Sequence, residues 1–308
     1  MKRKQLTTSF KALSSMVILY LLYRSIDFSG QEFVQAWEKI RLPWLLPALP
    51  VVIVVLAIKS IRWRSIIAAT GHPYSIPKAI AAYLAAYSIG VVTPGRLGEL
   101  LKVYNVRHDI PAINAVEGFR TVVLDRLFDM FFLLWFGLAG VLVYFKPLDE
   151  TDPYSALGIS LGVMILLLFI GLYLLRLASG KYLPKNRLLK FLLACMNGLT
   201  SVQSLTAWLF SAVAYAVYFI GIRMLFLSLN IEIGFLETGF IISLIGLILL
   251  LPISVAGFGT REAGLVYLLS FYGISPELAV SFSLLQFATF FVWGGLVGLF
   301  FWMASPVS

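Results

Sequence analysis

The sequence predicts an all-α, polytopic integral membrane protein with six spanning helices and two broken or re-entrant helical hairpins that form an inverted repeat. Three observations lead to this fold: the composition, the spacing of apolar segments, and the likeness of two interrupted segments. Of 308 residues, 60% are hydrophobic and 13% are charged. Soluble domains are about half apolar and about one quarter charged. The whole chain, 1–308, is therefore expected to be a single membrane domain.

The apolar segments have the length that a membrane-crossing helix requires. A helix crosses the hydrocarbon core with about 20 largely apolar residues. The first candidate follows a basic start, and no small-x-small cleavage pattern comes after it, so it is interpreted as an uncleaved helix and not as a signal peptide. The six candidate spans are 10–26, 43–63, 113–145, 156–176, 204–229 and 278–303.

Two further apolar regions contain residues that interrupt helices. Region 79–105 is broken by Thr93-Pro94-Gly95, and region 235–271 is broken by Pro252 and by Gly257-Phe258-Gly259. Proline lacks a backbone donor and stops an incoming helix, and glycine adopts backbone shapes that other residues resist. Because irregular backbone inside a membrane is tolerated only where protein or water covers it, each region is expected to be a hairpin buried in the bundle.

The two interrupted regions resemble each other in sequence. Glu99 and Glu262 are each followed by Val-Tyr at the fourth and fifth positions. This defines a first repeat of about 79–145 and a second of about 235–303. The three predicted spans between the two hairpins give the second the opposite orientation in the membrane. Inverted repeats with broken helices are typical of transporters, whose sites lie near the bilayer midplane.

The distribution of lysine and arginine predicts the orientation in the membrane. With the N-terminus in the cytoplasm, most loop cations fall on the cytoplasmic side, among them Lys59, Arg62 and Lys102. The chain is therefore expected in the cytoplasmic membrane with both termini inside the cell. This bias explains the net charge of +9, so no nucleic-acid partner is expected. Two histidines and one cysteine give no metal-binding pattern, and no cofactor is expected.

Several charged residues remain at membrane depth, where each costs a few kcal/mol unless it is paired or hydrated. Arg96 lies in the first break, and the next helix is expected to begin near 97–99 with its free N–H groups pointing into the break. Arg261 has the equivalent place in the second repeat. Guanidinium groups suit phosphate, so the two arginines are expected to meet in a pocket for an anionic headgroup. In the structural alternative, both simply pair with nearby carboxylates.

The candidate substrate-binding residues combine the two breaks with the charged helix that follows the first hairpin. At 100° per residue, Arg126 and Asp129 share one face of that helix and are expected to pair. The pair is structural, lines a headgroup path, or relays protons, and the sequence leaves these alternatives open. Arg223 is expected to be a buried cation, paired with Glu237 or directed into the pocket. The candidates are Pro94, Gly95, Arg96, Gly98, Glu99, Asp125, Arg126, Asp129, Gly257, Gly259, Arg261 and Glu262.

Three motifs together resemble a known family. They are PGRLGE at 94–99, VVLDRLFD at 122–129 and PISVAGFGTREAG at 252–264. The pattern is similar to the flippase-like membrane domain of lysylphosphatidylglycerol synthases, which also occurs as stand-alone proteins. The resemblance implies movement of an aminoacylated phospholipid between leaflets, and the candidate residues above occupy the family-like positions. An arginine expected on the last helix is replaced here by Gln286.

The resemblance also limits the expected activity. In two-part members of the family, a separate soluble domain makes the lipid from charged tRNA and phosphatidylglycerol. The sequence to Ser308 contains no such domain, so lysyl transfer would follow from the family name only and a transport protein is expected instead of an enzyme.

The predicted function is translocation of a phosphate-bearing lipid between leaflets. One alternative is a membrane glycosyltransferase, whose essential acidic residue would be Asp27, Glu32 or Asp152. A related alternative is an accessory subunit in lipid-linked glycan assembly. Another is a non-catalytic partner of a separate synthase. The expected partners are a phospholipid or other anionic lipid and the membrane. A separate lipid-modifying enzyme and a second copy of the chain are left open.

Overall fold

The computed structural model describes residues 28–145, 152–182, 187–250, 254 and 257–304, and all regular structure in these ranges is helical. The α-helices are α1 Gly30–Glu38, α2 Leu42–Ala68, α3 Ile76–Val92, α4 Leu101–Asp109, α5 Ala115–Tyr144, α6 Pro153–Tyr182, α7 Arg187–Thr200, α8 Leu205–Ser228, α9 Phe235–Leu250, α10 Thr260–Ser270, α11 Pro276–Gln286 and α12 Gly294–Ala304. Short 3₁₀ segments occur at Pro94–Leu100 and Val202–Ser204, and a π-helical segment at Phe287–Trp293 joins α11 to α12.

Among the described residues, five helical stretches are long and apolar enough to cross a membrane, and they confirm a polytopic helical membrane protein. Each coincides with one of the predicted spans. The predicted span 10–26 lies outside the described residues. Two shorter apolar helices form the first arms of the interrupted regions. The five stretches are Leu42–Ala68, Ala115–Tyr144, Pro153–Leu174, Val202–Ser228 and Pro276–Met303.

Hydrogen bonds between loops define two ends of the helical bundle. At the first end, the Tyr74 hydroxyl before α3 donates to Asp109 at the end of α4 over 2.7 Å. At the second end, the Arg41 amide before α2 donates to the carbonyl of Ser228 at the end of α8 over 2.8 Å. The hairpin α3–α4 therefore opens to the first end.

The hairpin α9–α10 opens to the second end. The Tyr144 hydroxyl at the end of α5 lies 2.8 Å from the hydroxyl of Tyr272, which follows α10. The same hydroxyl lies 3.5 Å from the carbonyl of Glu237 at the start of α9. The two hairpins thus face opposite ends of the bundle, as an inverted arrangement requires. That the two regions are copies of one repeat stays a prediction.

The first break differs from the one that the sequence predicts. Thr93 leaves helical geometry, with φ −99° and ψ 139°, and the 3₁₀ segment begins directly at Pro94. The α-helix resumes only at Leu101. The predicted helix start near 97–99 is therefore wrong, because a 3₁₀ turn fills that stretch. The Gly98 amide is also not free, since it donates to the Thr93 hydroxyl over 2.8 Å.

The second break depends on two glycines with positive φ. Gly257 has φ +84° and Gly259 has φ +86°. Side chains with a Cβ rarely adopt this conformation, so glycine is required at both positions. Gly259 is the N-cap of α10, and its amide donates to the Glu262 carboxylate over 2.6 Å. The break and the start of α10 are thus held by one local contact.

Small residues allow close approach of the spanning helices, which is the usual way helices associate in lipid. A Cβ added at Gly298 on α12 would lie 2.4 Å from the Leu84 carbonyl oxygen on α3. A Cβ at Gly221 on α8 would lie 2.6 Å from a methyl of Val51 on α2. These contacts place the first hairpin and α2 against neighbouring helices, and so position the site described below.

Asp109 provides a pH-dependent contact at the first end. Its carboxylate accepts hydrogen bonds from Tyr74 and, over 3.0 Å, from Lys78. Partial burial acts to raise the pKa of Asp109, but these donors outweigh it and lower the pKa below its ordinary value. A lowered folded-state pKa stabilises the protein above the ordinary value of about 4, and this contribution is lost as pH falls through the folded pKa.

Replacement of Asp109 by asparagine is therefore expected to lower the stability at pH 7 by about 1 kcal/mol or less, because Lys78 is largely exposed. The difference between the two proteins should shrink at pH 3. Thermal unfolding in detergent at both pH values measures it. An equal difference at pH 7 and pH 3 would show that the carboxylate charge is not involved.

Candidate functional site

Helix α2 places two cations inside the bundle. Lys59 and Arg62 are three residues apart and so share one face of the helix. Arg62 is completely buried and Lys59 is only 19% exposed. Arg62 lies about 9 Å from the end of α2, at 1.5 Å per residue. The interpretation of these residues as loop charges is wrong, because α2 continues to Ala68 and carries both into the interior.

Helix α5 supplies the carboxylates that pair with these cations. Arg62 Nη2 lies 2.7 Å from Asp125 Oδ1, and Arg62 Nη1 lies 2.7 Å from Asp129 Oδ1. Lys59 Nζ lies 2.9 Å from the same Asp129 oxygen. One guanidinium thus bridges two successive turns of α5. Such fork-shaped pairing is specific to arginine and fixes the register of α2 against α5.

The first hairpin adds two more charges to the same place. Lys102 Nζ lies 2.8 Å from Asp125 Oδ2 and 3.4 Å from Glu99 Oε2. Glu99 also pairs with Arg126 of α5. The predicted pair of Arg126 and Asp129 is present, at 3.9 Å. Lys102 was also interpreted as a loop cation, but it is buried, with 1% of its side chain exposed.

These residues form what we call the buried ionic cluster. It contains four cations and three carboxylates, so the charged groups leave an excess of one positive charge. Arg126 is 34% exposed, more than any other member, and forms the accessible edge of the cluster. The members are Lys59, Arg62, Glu99, Lys102, Asp125, Arg126 and Asp129.

Polar and aromatic groups surround the cluster. Arg62 donates to the Ser211 hydroxyl over 3.2 Å, and the Tyr215 hydroxyl donates to the Asp129 carbonyl over 2.8 Å. The ammonium of Lys102 lies 4.4 Å from the ring centroid of Tyr83, a favourable cation–π distance. The dielectric constant of a buried site is lower than that of water, which strengthens each ionic contact within it.

The second hairpin holds a smaller polar group. Arg261 Nη2 lies 2.7 Å from Glu262 Oε1, and the Ser283 hydroxyl donates to the same oxygen over 2.6 Å. The Arg261 side chain is 1% exposed and lies between the rings of Phe258 and Phe287, 5.5 Å and 5.1 Å from their centroids. Its Nη1 is buried without a hydrogen-bond partner in the described part of the chain. A guanidinium N–H group without a partner is able to donate a hydrogen bond to an anion.

Comparison with known proteins identifies the family. The family model described as lysylphosphatidylglycerol synthase TM region matches residues 10–298 of the chain. The chain belongs to this family. It is also 25% identical over 191 residues to the UPF0104 membrane protein MJ1078 of Methanocaldococcus jannaschii, a match that covers 60% of this chain and 80% of that protein. The resemblance drawn from the three motifs is thus confirmed.

In this lysylphosphatidylglycerol synthase TM-region protein, the two predicted groups of site residues occupy separate places. Within the described residues, no hydrogen bond or ion pair joins Arg261 or Glu262 to the buried ionic cluster. Asp125 lies about 15 Å along α5 from the first end, and Ser283 about 10 Å along α11 from the second. The Arg96 side chain is outside the described part, so a pocket formed by Arg96 and Arg261 together stays a prediction.

Other predicted residues have different surroundings from those expected. Arg223 is exposed on the surface of α8, which corrects its interpretation as a buried cation. It lies about 8 Å from the end of that helix, close enough for its long side chain to reach the interface. Asp152 accepts hydrogen bonds from the amides of Tyr154 and Ser155 and so caps α6. Asp27 lies outside the described residues.

Sequence reasoning missed Lys59, Arg62 and Lys102, although a signal for each was present. Lys59 and Arg62 fall inside the predicted span 43–63 at helical spacing, and Asp125 and Asp129 show matching spacing on α5. Lys102 follows Glu99 by three residues, the spacing of an intrahelical ion pair. The positive-inside rule assigns lysine and arginine near a span end to the loops and takes no account of partners on distant helices.

Proposed function

We propose that this protein is a lipid translocase, in which the headgroup of a phosphate-bearing lipid passes between leaflets along buried polar groups while its acyl chains stay in the bilayer. The buried ionic cluster carries this proposal. Seven charged side chains inside a membrane bundle are costly to maintain, and such residues in membrane proteins mark substrate or ion pathways by default.

The composition of the cluster favours an anionic substrate. Each carboxylate lies near at least two cations, and one positive charge remains in excess. Arg126 is the member with the greatest exposure, and its contact with Asp129 is long at 3.9 Å. A phosphate arriving at this edge can accept hydrogen bonds from the Arg126 guanidinium at small cost to the deeper pairs. Arginine forms two parallel hydrogen bonds with phosphate oxygens.

The second hairpin supplies a further contact for the same chemistry. Arg261 Nη1 lacks a partner in the described part of the chain, and its hairpin opens to the opposite end from the cluster. A headgroup moving between leaflets would meet Arg126 from one side and Arg261 from the other. Transporters of this general design place their sites between two oppositely oriented hairpins.

The proposal includes an orientation. We place the protein in the cytoplasmic membrane with the first end toward the cytoplasm, because the loops at that end carry the larger share of lysine and arginine. The membrane and a lipid are then the direct partners, and a separate lipid-modifying enzyme would supply the substrate from the cytoplasmic leaflet.

Reconstituted vesicles test the proposal. Fluorescently labelled phosphatidylglycerol is placed in both leaflets, and a membrane-impermeant reductant quenches only the label in the outer leaflet. Loss of the remaining fluorescence then measures the rate at which lipid crosses from the inner leaflet. Arg126→Gln and Arg261→Gln are each expected to slow crossing about tenfold, because each removes charge-assisted hydrogen bonds to phosphate. Arg223→Gln alters an exposed arginine of α8 and is the matched control. Labelled lipid should cross vesicles with this variant at the wild-type rate.

The outcome that contradicts the proposal is specific. Arg126→Gln and the double variant Arg96→Ala, Arg261→Ala would move labelled lipid as fast as the wild type at equal amounts of reconstituted, folded protein. The proposal would also be rejected if labelled lipid crossed vesicles that contain the wild-type protein no faster than it crosses protein-free vesicles.

A further inference from the structure

A pocket of mixed polar and apolar lining lies at the first end of the bundle, apart from the buried ionic cluster. It has a volume of about 350 Å³ and opens between the end of α2 and helices α5, α7 and α8. Its polar lining contains one cation and several neutral hydrogen-bonding groups, and no carboxylate. These groups belong to Ser65, Thr70, Arg120, Asn197, Ser201, Gln203 and Ser204. We call this space the Arg120 pocket.

Arg120 is the cation of this pocket, and within the described residues no ion pair neutralises its charge. Its Nε is buried and has no hydrogen-bond partner among the residues that the structure describes. None of the ion pairs of the buried ionic cluster includes Arg120. A buried donor without a partner destabilises the protein, and more so when it is charged. A ligand that supplies acceptor oxygens would remove this destabilisation.

The wall formed by α7 places the pocket at the membrane surface. This helix buries Cys195 and Leu199 toward the bundle and begins with the basic residue Arg187, followed by Lys190. Arg120 lines the pocket together with Ala194 and Asn197 of this helix, so its side chain lies near this wall. Amphipathic helices with basic residues lie in the interface and attract anionic lipids.

The lining groups define the class of ligand. The hydroxyls of Ser65 and Thr70 donate to backbone carbonyls of α2, so the guanidinium and the side-chain amides are the donors that a ligand can use. Guanidinium and amide donors, without a carboxylate in the lining, favour an anion with several acceptor oxygens. Arg120 lies about 8 Å from the start of α5, the depth of lipid headgroups. The mouth contains the exposed residue Gln203, so the pocket is reachable from the first end.

We propose that the Arg120 pocket binds the phosphate group of a membrane lipid headgroup at the first end. This proposal adds a binding site to the proposed function. It rests on that function only for the later step, in which the bound lipid crosses the membrane. Binding at Arg120 is the entry step, and the buried ionic cluster acts after it.

Ligand-dependent thermal stability of the full chain in neutral detergent tests the proposal. Dihexanoyl phosphatidylglycerol is compared with dihexanoylglycerol, which has the same chains without the phosphate, and with inorganic phosphate. The wild type should be stabilised by phosphatidylglycerol and not by dihexanoylglycerol. In Arg120→Gln, the concentration needed for half of that shift should rise about tenfold. Arg107→Gln, an exposed arginine at the same end, serves as the matched control and should leave it unchanged.

A second variant protects the test against misfolding of the first. Ala194→Phe keeps Arg120 and fills the pocket from α7, so it should weaken the response to phosphatidylglycerol as Arg120→Gln does. A response to inorganic phosphate that equals the response to phosphatidylglycerol, and is lost in Arg120→Gln, would identify a free anion as the ligand and overturn the lipid assignment.

Two other results would reject the pocket as a phosphate site. One is an unchanged phosphatidylglycerol response in both Arg120→Gln and Ala194→Phe, and the other is equal stabilisation of the wild type by dihexanoylglycerol. Failure of the translocase proposal appears elsewhere, as normal lipid crossing in Arg126→Gln, so the two proposals are tested separately.

Discussion

Replacement of Arg62 by methionine is expected to destabilise the protein by about 3–5 kcal/mol, the usual effect of removing one partner from a buried ion pair. The Arg62 guanidinium makes five hydrogen bonds, which end on Asp125, Asp129 and Ser211. Methionine has a similar length and offers no donor. The loss leaves carboxylate oxygens buried without their strongest partner, and unfolding of the purified protein in detergent measures it.

Two comparisons identify the cause of this effect. Arg64→Met changes an arginine two residues later, whose Nε donates to the Tyr74 carbonyl over 2.7 Å outside the cluster, and should cost only about 1 kcal/mol. Combining Arg62→Met with Asp125→Leu should recover part of the loss, because the second change removes a carboxylate that the first leaves under-paired. Equal stability of Arg62→Met and Arg64→Met would show that the cluster does not hold α2 against α5.

Replacement of Gly98 by alanine is expected to lower stability by about 1–3 kcal/mol, a typical cost of overpacking. A Cβ at Gly98 would lie 2.5 Å from the carbonyl carbon of Ile89 and 2.6 Å from its oxygen. These are backbone atoms of α3, so no side-chain rotation relieves the clash and the 3₁₀ segment must move away. Glu99 would move with it, and its contacts with Lys102 and Arg126 would weaken. Lipid crossing should therefore fall together with thermal stability.

Gly162→Ala is the matched control for this change. A Cβ at Gly162 on α6 would meet nothing within 4 Å. The same substitution there should leave stability unchanged or raise it slightly, since alanine favours a helix over glycine by about 1 kcal/mol. If Gly98→Ala and Gly162→Ala unfold at the same temperature, the close packing of the first hairpin is not important for the fold.

The elements that the sequence predicts well are those that the bilayer itself determines. A crossing helix must satisfy all its backbone groups and present apolar side chains to lipid, so its position appears directly in local hydropathy. The predicted spans 113–145 and 204–229 end within a few residues of the observed Ala115–Tyr144 and Val202–Ser228. The positions of both breaks follow in the same way from proline and glycine.

The charged residues were harder to place, because their environment depends on packing between distant segments. A hydropathy value is the same for a lysine or arginine in a loop as in a buried helix, so it does not distinguish the two environments of Lys59 and Arg62. The carboxylates that pair with these residues lie more than sixty positions away in the sequence. The first helical turn after Pro94 was equally hidden, since the Thr93 hydroxyl satisfies the Gly98 amide through a contact that no propensity scale contains. The prediction of a buried Arg223 is wrong because its exposed position on α8 depends on which face that helix presents to its neighbours.

The sequence by itself determined the membrane class, the lengths of the spans, the places where two helices break and the membership in a family with three recognisable motifs. Only the tertiary structure decided which charges meet: Arg62 bridges Asp125 and Asp129, and Lys102 reaches Asp125 from the first hairpin. It also placed Arg120 in the lining of a separate pocket. The physical reason is the range of the forces. Lipid acts on each segment locally, whereas an ion pair exists only when packing brings two remote side chains within about 4 Å.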